Sequence, residues 1–501
     1  MRGISFGSRL LAIAIAALLV AGCRGAAGAG SPSAIPFSVA QRSGAPMDPL
    51  HRGPLDKIKH IVIIIQENRS FNNLFLGYPG AKTQSYGYDS DNKKITLQPI
   101  SLKTKWDMQH NGQGYITSCN GTGQVPGTEC RMNGFDKESC HGTKPQWKCP
   151  KSKYLAYAYV PHDETKPYFE MAHQYVLADQ MYASDFDVSS FISHQYIIAG
   201  VNPNSSVDYP DGDWGCTGGP GDTVPVLFKD RKWLNDQREP IKTERPCWNP
   251  KTLGDELDDA KPKLPWAFYA VAVSGGGSFA CDSGNEIGPN GGSSRGPGIW
   301  SAYQAIKHIC YGGDWAMDVA PFSPPSKFLT DIKNGELRAV TWITPTNANS
   351  DHGGSNSDTG PSWVTSVVNA VGESNFWDST AIFIFWDDPG GWYDPEKPSY
   401  VNNDGLGYRL PLLIISPYAK QGYVDHTHYE HGSILKFVEN QFGLPRLEPP
   451  QDKLASDRRA NSPISAFDFS KGPRKFVPIK SKYDLDFFLN QPLDTRPPDN
   501  D

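Results

Sequence analysis

The 501-residue sequence carries no Cys-x-x-Cys pair among its nine cysteines, which argues against a structural zinc site. Neither sign of charge prevails: 48 basic and 54 acidic residues leave a net charge of −6. That balance gives no electrostatic footprint for nucleic acid and no acidic binding tail. Beyond residue 20 no apolar stretch is long enough to span a bilayer. No internal repeat is found, which excludes solenoids and propellers. A serine acyl esterase is disfavoured as well. The nearest nucleophile elbow, Ala272-Val273-Ser274-Gly275-Gly276, has no glycine at its first position.

What is present begins with an export signal. Arg2 and Arg9 precede an apolar run from Leu10 to Val20, short for a membrane span and typical of a signal-peptide core. The run ends Leu19-Val20-Ala21-Gly22-Cys23, which resembles a bacterial lipobox. The expectation is a signal peptide over 1–22 and a lipid anchor on Cys23 that holds the protein at the cell envelope. A Gly, Ala, Ser and Pro-rich tether covers 23–56, a catalytic domain 57–470 and a tail 471–501. The eight remaining cysteines (119, 130, 140, 149, 216, 247, 281 and 310) are an even number in an exported chain and read as disulfides. About 105 connectivities are open to them. Polar inserts near 111–150, 202–250 and 274–298 read as lids and walls around a site.

Apolar runs at 61–65, 266–273, 337–343, 381–386 and 412–415 read as strands, and Ser362–Ala370 and Gly432–Phe442 as helices. Their alternation predicts an α/β fold around a mainly parallel sheet flanked by helices. Two of the runs, His60–Ile65 and Ala381–Trp386, lead into Gln66-Glu67-Asn68 and Asp387-Asp388-Pro389-Gly390-Gly391. Runs without alternation belong to strands buried on both faces, and ligands bind beyond the carboxyl ends of such strands. Taken singly, Asn68 could cap a helix and Asp-Pro-Gly-Gly could be a turn. Two strand ends that each carry oxygen donors point instead to one divalent cation held by Glu67, Asn68, Asp387 and Asp388. A third element, Ser189-Ser190-Phe191 through Gly200, reads as a helix with serines at its N-terminus. Free N–H groups there suit a phosphate, and a nearby cation would activate a serine hydroxyl.

Five motifs occur in order: Glu67-Asn68-Arg69-Ser70-Phe71, Ser190-Phe191 with His194-Gln195-Tyr196 and Ala199-Gly200, Ser350-Asp351-His352, Asp387-Asp388 with Gly390-Gly391, and Tyr429-Glu430-His431-Gly432-Ser433. Together they resemble the bacterial phosphoesterase family of non-zinc phospholipases C and a respiratory-burst-inhibiting acid phosphatase, over roughly Lys57–Phe469. The resemblance implies an alkaline-phosphatase-like fold and phosphate-ester hydrolysis through a phosphorylated Ser or Thr. It makes Glu67, Asn68, Asp387, Asp388 and Ser190 the metal ligands, Ser190 the nucleophile, and His110, His308 and His352 the histidines near phosphate. His431 would support the site or cap the last helix. Mostly oxygen ligands favour Ca²⁺, Mg²⁺ or Mn²⁺, and nearby histidines admit Zn²⁺. Ser rather than Thr at 190 leans towards an acid-phosphatase-like phosphomonoesterase; a phospholipase C acting on phospholipids is the alternative. A non-catalytic surface lipoprotein is a third reading, opposed by competent residues at every ligand position. Two departures, Asn72 where relatives usually carry Asp and Asp394 followed by Pro395, bear on subfamily rather than chemistry. Substrate and oligomeric state are open at this level.

Overall fold

A computed structural model describes residues 55–494 except 124–126, 187, 204–214, 218–220, 222, 227–241, 272–280, 282–299, 400–404, 448–454 and 493. The expected signal peptide, Cys23 anchor and nearly all of the tether, together with Ser274, lie outside the described residues. Contacts divide the chain into Met1–Leu50 and His51–Asp501, and the sheet and helices belong to the second unit. Among the described residues no helix is long and apolar enough to cross a membrane.

The central sheet has eight strands: β1 (His60–Gln66), β2 (Val176–Tyr182), β3 (Trp266–Tyr269), β4 (Val340–Ile343), β5 (Thr380–Trp386), β6 (Arg409–Ile415), β7 (Tyr423–Asp425) and β8 (Tyr429–Glu430). Their order is β3-β4-β1-β5-β6-β2-β7, with β8 also on β2. Among the described strands only β6 runs antiparallel to its neighbours. The expected α/β class and mainly parallel sheet are therefore the observed ones.

Ile61 to Ile65 are all buried, as a central parallel strand requires. Each such side chain contributes about 1.5–3 kcal/mol of burial. Alternation on β5 separates two helical layers. Phe383 meets Phe437 of helix α5 (His431–Phe442) at 5.0 Å between ring centroids. Trp386 meets Tyr168 of α1 (His162–Gln174) at 5.0 Å on the opposite face. Helix α2 (Ser190–Ala199) packs beside α5, and α4 (Gly360–Gly372) beside α1.

Several expected boundaries shift. The run 266–273 gives a strand only to Tyr269, and 337–343 only from Val340. The run 412–415 extends back to Arg409. Pro411 in that strand accompanies a register irregularity between Leu410 and Leu412. A buried charge at a strand start escapes an apolar pattern. The first four cysteines form two separate local staples, Cys119–Cys130 and Cys140–Cys149, while Cys216–Cys247 and Cys281–Cys310 close longer loops.

Candidate active site

β1 and β5 pair in parallel from His60↔Thr380 to Gln66↔Trp386. Both strands therefore end level, and their next residues emerge side by side. The Asp387 N–H donates to the Gln66 carbonyl at 3.0 Å. Asn68 returns the contact through its own N–H to Asp387 Oδ1 at 3.1 Å. To turn there Asn68 takes φ of 58°, a left-handed conformation that Asn tolerates better than most residues. Gly390 also has positive φ, 62°, and a Cβ on it would sit 2.1 Å from the Asn68 carbonyl oxygen. Glycine at 390 is what lets the two strand-end loops close on each other.

Ser190 is the first residue of α2, with Ser189 as N-cap. Its Oγ donates to Asp388 Oδ2 at 3.1 Å and accepts from Asn68 Nδ2 at 3.4 Å. Asn68 Nδ2 also donates to Asp388 Oδ2 at 3.3 Å. One turn along α2, Ser193 Oγ donates to the Asp387 carbonyl at 2.8 Å. His194, also facing the strand ends, lies 3.2 Å from Glu67 Oε1 and 3.8 Å from Asp387 Oδ2 through Nε2. The helix is thus fixed to both strand ends by its first polar turn, with the hydroxyl at its N-terminus. The other four expected ligands, together with His194, are buried along one seam with Ser190.

Two of the three expected histidines join this cluster. His110 Nδ1 donates to the Met108 carbonyl at 2.8 Å, which leaves Nε2 to accept from Asn68 Nδ2 at 2.7 Å in the neutral ring. The ring of His352 lies 5.5 Å from that of His110. Its Nδ1 is hydrogen-bonded to the Gly353 carbonyl and stands 3.3 Å from Asp107 Oδ2. Gly353 is required there, since a Cβ would meet Asp107 Oδ1 at 1.9 Å. His308 is not brought to the cluster. Its ring is bonded to Asn249 Oδ1 at 2.7 Å and Asp255 Oδ1 at 2.8 Å, with a third of its side chain exposed. Buried Ile306 and Ile309 anchor the segment and turn the ring between them outward. His431 opens α5 beneath β5, with its ring 5.7 Å from that of Phe385 and Glu430 as the N-cap.

Glu67, Asp387 and Asp388 are all fully buried. Burial, followed by the neighbouring Asp387, pushes the Asp388 carboxyl well above the usual carboxylate range. Burial also lowers His194 to about 4, so this imidazole is neutral at physiological pH. Asn68 Oδ1 and Asp387 Oδ2 have no hydrogen-bond partner among the described residues. Glu67, His194 and Asp387 present one donor atom each within 4.8 Å of one another, and so do Asp107, His110 and His352. Buried acceptors without donors and clustered carboxylates are costly unless a cation satisfies them. The donor set fits a divalent metal.

The Phosphoesterase family profile matches residues 58–445. The chain belongs to the Phosphoesterase family. A non-hemolytic phospholipase C of Burkholderia pseudomallei is 23% identical over 89% of this chain and 64% of its own. Phospholipase C B of Mycobacterium tuberculosis is 23% identical over 85% and 80%. A non-specific phospholipase C1 of Arabidopsis thaliana is 22% identical over 77% and 67%. The chain thus spans 64% of the length of the Burkholderia relative. Among solved structures, an alkaline phosphatase superfamily protein from Vibrio parahaemolyticus aligns over 80% of this chain and 72% of its own, at 10% identity and TM-score 0.32. A sulfatase from Pseudoalteromonas sp. aligns over 84% and 74%, at 10% identity and TM-score 0.36.

Within this member of the Phosphoesterase family, sequence reasoning passes over His194, Asp107 and Tyr115. His194 has a signal: it lies four residues after Ser190, on the same helical face. Asp107 stands three residues before His110, but its partner His352 is remote in sequence. Tyr115, whose hydroxyl donates to Asp388 Oδ1 at 3.4 Å, has no local signal. The two departures prove to be neighbours: the Asn72 N–H donates to Asp394 Oδ2 at 3.0 Å.

Proposed function

We propose that this phosphoesterase is an exported, metal-dependent phosphodiesterase of the phospholipase C type, with Ser190 as its nucleophile. The named relatives are phospholipases C, which favours a phospholipid diester over the monoester preferred from the serine at 190. Four disulfides accord with an oxidising compartment. The observation that carries the mechanism is the contact of Ser190 Oγ with Asp388 at 3.1 Å, at a helix N-terminus.

Glu67, Asn68, Asp387 and Asp388, with Ser190 and His194 at the same seam, would hold the cation. When bound, a divalent ion supplies Lewis-acid stabilisation of phosphate oxygens and lowers the hydroxyl pKa. Asp388 takes the Ser190 proton, and Oγ attacks phosphorus in line with the departing alcohol oxygen. The new Oγ–P bond replaces the P–O bond that breaks. The first N–H groups of α2 face the phosphoryl oxygens. His352, oriented by Asp107, gives its proton to the alcohol, with His110 beside it. Water, giving a proton to His352, then attacks phosphorus; the Oγ–P bond breaks, Ser190 Oγ takes its proton back from Asp388, and the phosphomonoester leaves. Ca²⁺, Mg²⁺ and Mn²⁺ suit the oxygen donors, and the His194 nitrogen admits Zn²⁺. Lipid attachment at Cys23 would hold the enzyme at a membrane.

The test compares wild type with Ser190→Ala on phosphatidylcholine vesicles and on a phosphomonoester, each with and without chelator. Wild type is expected to prefer the diester and to lose turnover with chelator. Ser190→Ala is expected to fold and lose about 10³-fold or more in kcat. Full activity in the variant would overturn the nucleophile, and a preference for the monoester would overturn the substrate class.

A further inference from the structure

The cluster Asp258, Asp314 and Asp318 takes no part in the phosphoester chemistry. Asp258 lies on helix α3 (Leu253–Asp259), Asp314 is the N-cap of a π-helical turn, Trp315–Val319, and Asp318 lies within that turn. One carboxylate oxygen from each falls within 4.8 Å of the other two. All three donors are carboxylate oxygens, the hard ligands that calcium takes. Three carboxylates from two segments face one another against the bonded ammonium of Lys263. Lys263 Nζ reaches Asp258 Oδ1 at 2.7 Å, and Trp266 Nε1 donates to the same oxygen at 3.1 Å. Arg338 acts on Asp318 only as a weaker, distant charge.

An independent feature points to a ligand. Asp318 is only 8% exposed, yet its Oδ2 has no hydrogen-bond partner among the described residues. A buried carboxylate oxygen without a donor needs either a proton or a cation. π-turns are rare and concentrate at functional sites, and both aspartates belong to this one, at its cap and near its end.

We propose that Asp258, Asp314 and Asp318 form a second divalent-cation site of calcium type, which ties the end of α3 to the π-turn. No member of it belongs to the seam around Ser190. The site is structural: α3 packs on α2, the helix that carries Ser190, so a cation here would brace the support of that helix rather than touch substrate.

The test is equilibrium dialysis against calcium alone, with metal counted per chain, on wild type and on Asp314→Asn/Asp318→Asn. Carboxamides keep the side-chain shape and remove two charges. Wild type is expected to hold one calcium more per chain than the variant, whether or not calcium also occupies the catalytic seam. The difference is therefore independent of the phosphodiesterase reading. Terbium should give luminescence sensitised by Trp266 in wild type, reduced in the variant. Calcium should raise the melting temperature of wild type more than that of the variant, and in chelator the variant should melt no lower than wild type. Equal calcium per chain up to about 5 mM, above the range of weak protein calcium sites, would overturn the proposal. If the double variant fails to fold, Asp314→Asn alone at its half-buried position is expected to weaken calcium binding at least tenfold, and unchanged affinity there overturns the proposal equally.

Discussion

Replacing Asp394 by alanine is expected to unsettle both ligand loops through one buried ion pair. Arg409 and Asp394 are both fully buried. Arg409 Nε lies 3.1 Å and 3.2 Å from the two carboxylate oxygens, and Nη2 lies 3.1 Å from Oδ2. Nη1 donates to the carbonyls of Lys82 and Asp179, both at 2.9 Å. The guanidinium also lies 4.4 Å above the Phe71 ring. Asp394 further accepts from the Asn72 N–H at 3.0 Å and the Glu396 N–H at 2.9 Å. Asn72 comes shortly after Glu67-Asn68 in the chain, and Asp394 shortly after Asp387-Asp388. The carboxylate therefore pins the loops after β1 and β5 to each other. Asp394→Ala leaves a buried guanidinium without its counter-charge, at a cost of about 3–5 kcal/mol. Unfolding entropy of about 2.1 cal/mol/K per residue gives roughly 0.9 kcal/mol/K for a body of this size, so the melting temperature should fall by about 3–5 °C. Differential scanning calorimetry measures it. Asp394→Leu with Arg409→Met removes both charges and should recover much of the loss. Melting of Asp394→Ala within about 1 °C of wild type would refute the reasoning. Activity should fall further than stability, because a ligand loop displaced by an ångström costs about 10²-fold in rate.

Three further variants probe other contacts. His194→Gln removes the imidazole beside Glu67 and Asp387 and should weaken metal affinity about 10- to 100-fold, read by metal titration of the chelator-stripped protein. Burial, with Asp457 adding to it, pushes Glu256 up to about 8. Its folded pKa exceeds its unfolded one, so the folded state holds the proton more tightly and stability falls as pH rises from about 4.5 to 8; Glu256→Gln should match wild type near pH 5 and exceed it at pH 8 in urea denaturation, and a parallel pH dependence would count against the assignment. Cys119→Ser/Cys130→Ser opens a loop of sequence separation 11 and should cost about 3 kcal/mol, with equal melting of reduced and oxidised wild type as the contrary result.

The legible part of this molecule is local. β1, β5 and the first turn of α2 each announce themselves within a short window of sequence, because parallel core strands need uninterrupted apolar runs and a helix start needs a cap. What lies just past those signals, Glu67, Asn68, Ser190, Asp387 and Asp388, is therefore readable, and the structure gathers these residues at one seam. The misses are the groups whose meaning depends on a remote partner. His308 sits in an apolar-flanked segment that looks like core, yet Asp255, on a helix well before it in the chain, draws its ring to the surface. Asp107 meets His352, remote in sequence, at 3.3 Å, and Arg409 is tolerated at a strand start because Asp394 neutralises it.

The same distinction explains why the substrate reading moves from monoester to diester while the site does not. As the proposed nucleophile, Ser190 at the head of α2, bonded to Asp388, would make the same attack on either ester, because in-line displacement requires the nucleophile and the departing oxygen and is indifferent to what the other ester oxygen carries. Ser in place of Thr removes a methyl group from the nucleophile and leaves its oxygen where it was. That substitution cannot decide between the two substrates. In this proposal the choice belongs to residues that meet the alcohol portion, apart from the five proposed to hold the cation. A variant series confined to Glu67, Asn68, Ser190, Asp387 and Asp388 should therefore lower rates on monoester and diester by equal factors. Unequal factors would mean that the ligand seam itself reads the ester.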